Sequence, residues 1–215
     1  MKKIILLIVL AFSFAVYSQE EIKEGTLKMK VTMSSENPQI NSTYAMLGDL
    51  SSTTTFKGDK SRTEMSNPIM GTNISIVDNK NKVILVLMDN PMIGKKFMKT
   101  EIQPDIENLK KITVTETGEH KTILGYDCKG FLAEGENTKM TLYVTEKIKG
   151  TNQNIAPISD KIKGFPLLSI VEINQNGASI TTTAEVMELN KEDVDDALFD
   201  MTIPEGYTEL KMPGK

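Results

Sequence analysis

The stretch from Lys121 to Thr145, KTILGYDCKGFLAEGENTKMTLYVT, constrains the fold of this chain most strongly. Apolar and polar residues alternate on both sides of a polar turn at Gly135-Glu136-Asn137. A period of two is typical of a half-buried β-strand, and matching apolar faces on two adjacent strands indicate a common core. The sequence therefore predicts a long β-hairpin. On its first strand, one face is predicted to carry Leu124, Tyr126, Cys128 and Leu132.

Alternation and turn signals together predict about ten strands. Alternation indicates the strand Leu27–Met33, and turn signals indicate the hairpin 51–66 around Gly58-Asp59 and the pair 167–173 and 178–189 around an Asn-Gly turn. Residues 83–88, VILVLM, are apolar on both faces, which predicts a strand covered on both sides. Since no repeat or long linker divides the chain, we expect one mainly β domain built on an antiparallel sheet.

Three short helices are predicted beside the strands. The first covers Asn41–Leu47, with Asn41 or Ser42 as its N-cap and Gly48 at its end. The second covers Pro104–Lys111, with proline near its start. The third follows Asn190 as N-cap. A further helical turn is predicted at 159–163.

The N-terminus has the layout of a secretory signal peptide. Lys2 and Lys3 precede a largely apolar run, Ile4–Val16, which is short for a membrane span. We expect cleavage after Ser18, with an uncleaved anchor as the competing interpretation. The predicted organisation is a signal peptide over 1–18, a polar leader over 19–25, a single β domain over 26–210 and a tail over 211–215. This organisation predicts a periplasmic or secreted protein.

Composition narrows the range of partners. The formal charge of −4 becomes −6 without the signal peptide, so nothing favours nucleic acid as a partner. No later apolar run has membrane length, and one cysteine forms no intramolecular disulfide.

There are 13 methionines and no tryptophan. Methionine adapts to irregular apolar shapes, so this excess fits either ordinary core filling or a pocket for an apolar ligand. The oligomeric state is left open.

The candidates for catalysis begin with Cys128 and His120, the only residues of their types. If both lie on one continuous strand, they are about 26 Å apart and form no nucleophile–base pair. A serine triad would also need His120. Glu134 and Glu136 sit in the predicted turn and are a weak match to a glycosidase pair. We therefore predict no catalytic residue and, with a hydrolase as the third hypothesis only, no enzyme.

Metal and anion sites have little support. One histidine and one cysteine do not make the usual zinc site, so no metal site and no cofactor are predicted. Near the C-terminus lies an acidic cluster that consists of Glu192, Asp193, Asp195 and Asp196. It is interpreted as the solvated first turn of a helix, where negative charge is stabilised. Arg62 is the only arginine and shares a predicted face with Glu64. It is either placed to hold a carboxylate or carbonyl groups, or reflects a compositional bias toward lysine.

Several segments together resemble a known family. They are FKGDKSRTEM, KTILGYDCKGF followed by TLYVTEKI, KGFPLLSIVEI and LFDMTIPEGYTEL. The most specific motifs are the Gly-Tyr-x-Cys-Lys strand and the terminal Phe-x-x-x-x-Pro-x-Gly-Tyr. The chain resembles an uncharacterised secreted family of Bacteroidetes-type bacteria, a domain of unknown function grouped by fold with the lipoprotein carriers LolA and LolB.

This resemblance implies an incomplete, strongly curved antiparallel barrel with short helices plugging its open side. In the Lol carriers the cavity holds lipoprotein acyl chains, so the resemblance implies a non-enzymatic module that binds acyl chains or a lipidated partner. The alternative is a ligand-free structural or interaction module of the cell envelope. The candidate lining residues, which could equally form a packed core, are Leu27, Met29, Val31, Met33, Leu85, Leu87, Leu124, Tyr126, Met140 and Leu142.

Overall fold

A single twelve-stranded sheet dominates the computed structural model, which describes residues 21–102, 111–150, 158, 161–175 and 177–210. The strands are β1 Glu24–Ser35, β2 Leu50–Lys57, β3 Lys60–Asn67, β4 Gly71–Asp78, β5 Val83–Asn90, β6 Gly94–Glu101, β7 Thr113–Ile123, β8 Tyr126–Glu134, β9 Thr138–Thr145, β10 Phe165–Gln175, β11 Ala178–Asn190 and β12 Thr208–Glu209. Their order in the sheet is β12-β6-β5-β4-β3-β2-β1-β11-β10-β9-β8-β7. The prediction of a mainly β protein with one open sheet is confirmed.

Neighbouring strands are antiparallel throughout, except that β12 runs parallel to β6. Most pairs are hairpins of consecutive strands, as the short polar turns predicted. Two pairs join strands that are not consecutive: β12 with β6 at one edge, and β1 with β11, which joins the two halves of the chain at the centre of the sheet. The order β12 to β7 is linear, so these two strands are the edges of an open sheet.

The described residues contain fewer helices than the three predicted for the chain. The described residues contain one α-helix, α1 Pro38–Leu47, and one short 3-10 helix, Asp196–Phe199. The Asn37 side chain caps α1 by accepting from the amides of Gln39 and Ile40, so the predicted N-cap at Asn41 or Ser42 is wrong, whereas Gly48 does end the helix. Asp195, not Asn190, caps the 3-10 helix. The predictions for 104–110, 159–160, the signal peptide and the tail lie outside the described residues.

The hairpin 121–145 starts differently from its prediction. β8 and β9 do pair around the turn at 135–137, but the chain also reverses at Leu124-Gly125. Residues 121–123 therefore belong to β7, which pairs with β8. Leu124 has a φ of 50° and Gly125 one of 80°, values that close a two-residue turn between strands. The turn predicted at Gly118-Glu119 is instead a register shift within β7.

The sheet curves around one of its faces, which we call the inner face. Phe56 on β2 and Phe165 on β10 have ring centroids 6.5 Å apart, although β1 and β11 separate their strands. Three strand spacings in a flat sheet would be about 14 Å. Leu27 and Phe56 are fully buried there, in a cluster with Ile148 and Phe165 that fills this end of the inner face.

Two further clusters bury apolar side chains on either face of the sheet. On the inner face of β8 and β9, Ala133 and Leu142 pack with Ile158 and Ile162 of the connection to β10. On the opposite, outer face, a second group contacts the C-terminal segment, residues 191–210. It comprises Ile76, Leu85 and Leu87, which pack against Val194 and Phe199 of that segment. The described residues contain no helix that is long and apolar enough to cross a membrane.

Candidate ligand-binding groove

A groove of about 440 Å³ lies on the inner face and contacts eight neighbouring strands, from β5 through β1 and β11 to β9. In a flat sheet these strands would extend over about 33 Å, whereas a compact cavity of this volume is only about 10 Å across. The curvature of the sheet therefore creates the groove. Its volume is within the range of small-molecule sites.

Two walls of different character form the groove. The wall from β1, β11, β10 and β9 is mainly apolar and carries Met29, Val31, Met140, Ser169, Val171, Thr182 and Ala184. The wall from β2 to β5 has more hydroxyl and amide groups and carries Ser52, Thr63, Met65, Asn73, Ile74, Ser75 and Val86. None of these fourteen described lining residues is charged. The groove thus offers methionine and valine surface together with neutral hydrogen-bonding groups.

The hydroxyl groups of β2 and β3 differ in how they are paired. Thr54 and Thr63 have their Oγ1 atoms 2.9 Å apart, so they form a hydrogen bond with each other. The Oγ atoms of Ser52 and Ser61 are buried and have no hydrogen-bond partner among the described residues. Ser52 lines the groove, whereas Ser61 does not.

Three of the ten predicted lining residues, Met29, Val31 and Met140, contact the groove. Three more lie on the inner face by strand register without lining it. Leu27 is in the cluster that fills the end of the face, and Leu142 is covered by Ile158 and Ile162. Met33 lies opposite Thr182 near the end of β1.

The other four predicted residues lie elsewhere. Leu85 and Leu87 pair with Ile76 and Ile74 and face the C-terminal segment on the outer face. Leu124 is exposed in the β7–β8 turn. Tyr126 is buried in a cluster with Cys128 and Tyr143. The structure therefore does not bring these four residues to the groove.

Eleven of the fourteen lining residues are not among those that the sequence predicts: six are polar, and the other five are Met65, Ile74, Val86, Val171 and Ala184. Ser52, Thr63, Asn73 and Ser75 alternate with outward-facing residues on β2, β3 and β4, so their parity was available from the sequence. The selection favoured apolar residues because hydrophobicity alone predicts burial. The Thr- and Ser-rich β2 was the signal that could have indicated a polar wall.

Cys128 and His120 are close across the β7–β8 pair, so the predicted separation of about 26 Å is wrong. His120 lies opposite Lys129, and Lys121 lies opposite Cys128, which places the two side chains on different faces of the sheet. His120 Nδ1 is exposed and 3.1 Å from both carboxylate oxygens of Asp127. Burial raises the pKa of the Cys128 thiol to about 11, so it stays protonated at neutral pH and is a poor nucleophile.

The sole arginine and the acidic cluster stabilise the C-terminal segment. Arg62 Nε donates to Glu64 at 2.6 Å, and its Nη1 donates to the Leu198 carbonyl at 3.4 Å. Asp196 forms ion pairs with Lys57 and Lys60 at 3.3 and 3.7 Å. Within the described ranges, no group of three or more His, Cys, Asp or Glu side chains could hold a metal ion.

Residues 23–207 match the model of one protein family, described as "Domain of unknown function (DUF4412)". The chain belongs to this family. Among proteins with curated descriptions, none matches the sequence. The family assignment agrees with the resemblance found in the strand and C-terminal motifs of the sequence.

Among solved structures, the chain superposes on PNGF-II with a TM-score of 0.50 and 19% identity, covering 86% of this chain. It spans 31% of the PNGF-II chain, and this likeness shows a shared fold only. The Pseudomonas aeruginosa MucA/MucB complex gives a TM-score of 0.44 with 8% identity, over 80% of this chain and 55% of that one. The Mycobacterium tuberculosis lipoprotein LppX gives 0.31 with 9% identity, over 79% and 90%.

Proposed function

We propose that this protein is a non-enzymatic binding module, working outside the cytoplasm, that holds an acyl chain or the acyl group of a lipidated partner in the inner groove. The observation that carries this proposal is the groove itself: eight strands curve around about 440 Å³ of space lined by methionine, valine and neutral polar side chains. A half-barrel of this kind buries an apolar ligand on one side and stays accessible on the other.

The chemistry of the lining supports a hydrocarbon ligand. Met29, Met65 and Met140 come from three different strands, and methionine adapts its shape to a flexible chain. Burial of apolar ligand surface contributes about 25 cal/mol per Å², so the eight apolar residues among the fourteen that line the groove favour a hydrocarbon. Each of β1, β11, β10 and β9 contributes an apolar side chain to this wall, so a linear chain could contact all four strands.

The first test asks which lipid, if any, is bound to the protein in its native envelope. We expect protein purified from its native envelope to contain bound lipid that mass spectrometry identifies after extraction. The delipidated protein is then expected to bind a fluorescent acyl ester. A lipid-free preparation that also fails to bind this probe would contradict the proposal and favour the ligand-free envelope module.

The second test locates the binding site. Ala184→Phe fills the groove, because Ala184 lies on its apolar wall. Thr183→Phe, the matched control, introduces the same ring on the outer face of the same strand, opposite Thr32. We expect Ala184→Phe to weaken probe binding by about tenfold or more, which is about 1.4 kcal/mol, and Thr183→Phe to leave it unchanged. Equal effects of the two variants would place the ligand elsewhere.

A further inference from the structure

We propose that the groove selects a neutral acyl ester or amide, and that the Ser52 hydroxyl donates a hydrogen bond to the carbonyl oxygen of this ligand. The inference rests on the proposed function and assigns the class of ligand and its orientation. It starts from a polar atom that the fold buries without a partner.

Ser52 is the third residue of β2 and lines the groove, with 5% of its surface exposed. Its Oγ has no hydrogen-bond partner in the described part of the chain. A buried hydroxyl without a partner lowers the stability of the folded state, and most native structures avoid this arrangement. A ligand that supplies an acceptor recovers the hydrogen bond at the moment of binding.

The neighbours of Ser52 define what surrounds that acceptor. Strand register places Met29 on one side of Ser52 and Met65 on the other, and both line the groove. The nearby hydroxyl groups of Thr54 and Thr63 are already bonded to each other. Ser52 thus presents one unpaired hydroxyl between two flexible apolar side chains, which suits one carbonyl group with hydrocarbon attached to it.

The charge of the lining distinguishes an ester or amide from a free fatty acid. None of the fourteen described lining residues is charged, so a carboxylate in the groove would have no cation to pair with. Burying an unpaired carboxylate is far less favourable than burying a neutral carbonyl that accepts one hydrogen bond. The groove therefore favours acyl groups whose carboxyl function is esterified or amidated.

The chain supplies a matched control in Ser61. Like Ser52 it is buried on the inner face, with 1% of its surface exposed, and its Oγ has no partner among the described residues. It lies opposite Phe56 and Val77 and does not line the groove. Replacing either serine by alanine removes an unpaired buried hydroxyl, but only Ser52 is positioned to contact a ligand.

The experiment measures binding of methyl decanoate, the alkane of equal chain length and the decanoate anion to the delipidated wild-type protein, Ser52→Ala and Ser61→Ala by titration calorimetry. We expect Ser52→Ala to weaken methyl decanoate binding about three- to tenfold, as the loss of one neutral hydrogen bond does, and to leave alkane binding unchanged. Ser61→Ala should change neither. The wild type should bind the ester more tightly than the anion, and neither substitution should lower the Tm.

Three results would overturn the assignment of Ser52. They are unchanged ester binding in Ser52→Ala, an equal loss of ester and alkane binding, and a lower Tm of the ligand-free Ser52→Ala variant, which would mean that its hydroxyl is paired in the free protein. An anion bound as tightly as the ester would overturn the ligand class. If the wild type binds none of the three compounds, the proposed function itself fails. If the wild type binds all three compounds but Ser52→Ala does not selectively weaken ester binding, only the assignment of Ser52 fails, and the proposed function stands.

Discussion

The buried thiol of Cys128 makes stability depend on pH in the alkaline range. Burial, with a smaller contribution from the Asp127 carboxylate, raises its pKa from 9.0 to about 11. The folded state holds this proton more tightly than the unfolded state. The stability that results is complete below pH 9 and is lost as the pH rises toward 11.

We therefore expect the difference in free energy of unfolding between the wild type and Cys128→Ala to shrink by about 2–3 kcal/mol from below pH 9 to above pH 11. Urea unfolding at several pH values measures it. Lysines and tyrosines titrate in the same range, but they do so in both proteins and cancel in the difference. A difference that stays constant with pH would mean that the thiol is not held in its protonated form.

Gly71 is a single residue on which the start of β4 depends. Its φ is 81°, and a Cβ at this position would collide with the carbonyl oxygen of Asp89. Gly94 has a similar φ of 72° but has open space around the same position. We expect Gly71→Ala to lower the free energy of unfolding by more than about 2 kcal/mol and Gly94→Ala by about 1 kcal/mol, in chemical denaturation. Similar losses would show that backbone strain alone accounts for both.

At the scale of elements, the C-terminal segment acts as a cover for the outer face of the sheet. Phe199 is only 6% exposed and packs with Ile76, Leu85 and Leu87, whereas its neighbour Leu198 is 41% exposed. Phe199→Ala should lower the free energy of unfolding by about 3–5 kcal/mol because it leaves a cavity between segment and sheet. Leu198→Ala should change it by less than about 1 kcal/mol. Equal, small effects would indicate that the segment does not contribute to the core.

Elements were predictable from the sequence where one face of a strand is apolar and the other polar. This is why the predictions for β1 and β11 agree with the structure within a few residues at each end, whereas β2 is predicted from its Thr-rich run before the Gly58-Asp59 turn. Periodicity did not reveal the reversal at Leu124-Gly125, because Leu124 has the same parity as Tyr126 and Cys128 and so extends the apolar face of β8 into the turn. It also does not distinguish the inner from the outer face. Leu85 and Leu87 were therefore assigned to the groove, although they contact the C-terminal segment.

At the scale of the whole molecule, the two ends of the sheet differ. One end of the inner face is filled by the cluster around Phe56 and Phe165. The antiparallel order places α1, the β3–β4 turn and the β5–β6 turn together at the other end. These three connections carry exposed large apolar side chains, namely Met46, Ile69, Met92 and Ile93. If the groove takes acyl chains, this apolar rim is the end from which they enter.

Exchange of lipid with a membrane tests this direction of entry. Met92 is 90% exposed at the rim, and Met187 is an exposed methionine on β11, outside the rim. We expect Met92→Asp to slow transfer of a fluorescent acyl ester from phosphatidylcholine vesicles, because a charge at the rim opposes contact with the bilayer surface. Binding of the same ester supplied free in solution should be unchanged, and Met187→Asp should affect neither measurement. Slower transfer in both variants would indicate a general effect of charge, and unchanged transfer in Met92→Asp would mean that acyl chains do not enter past the rim.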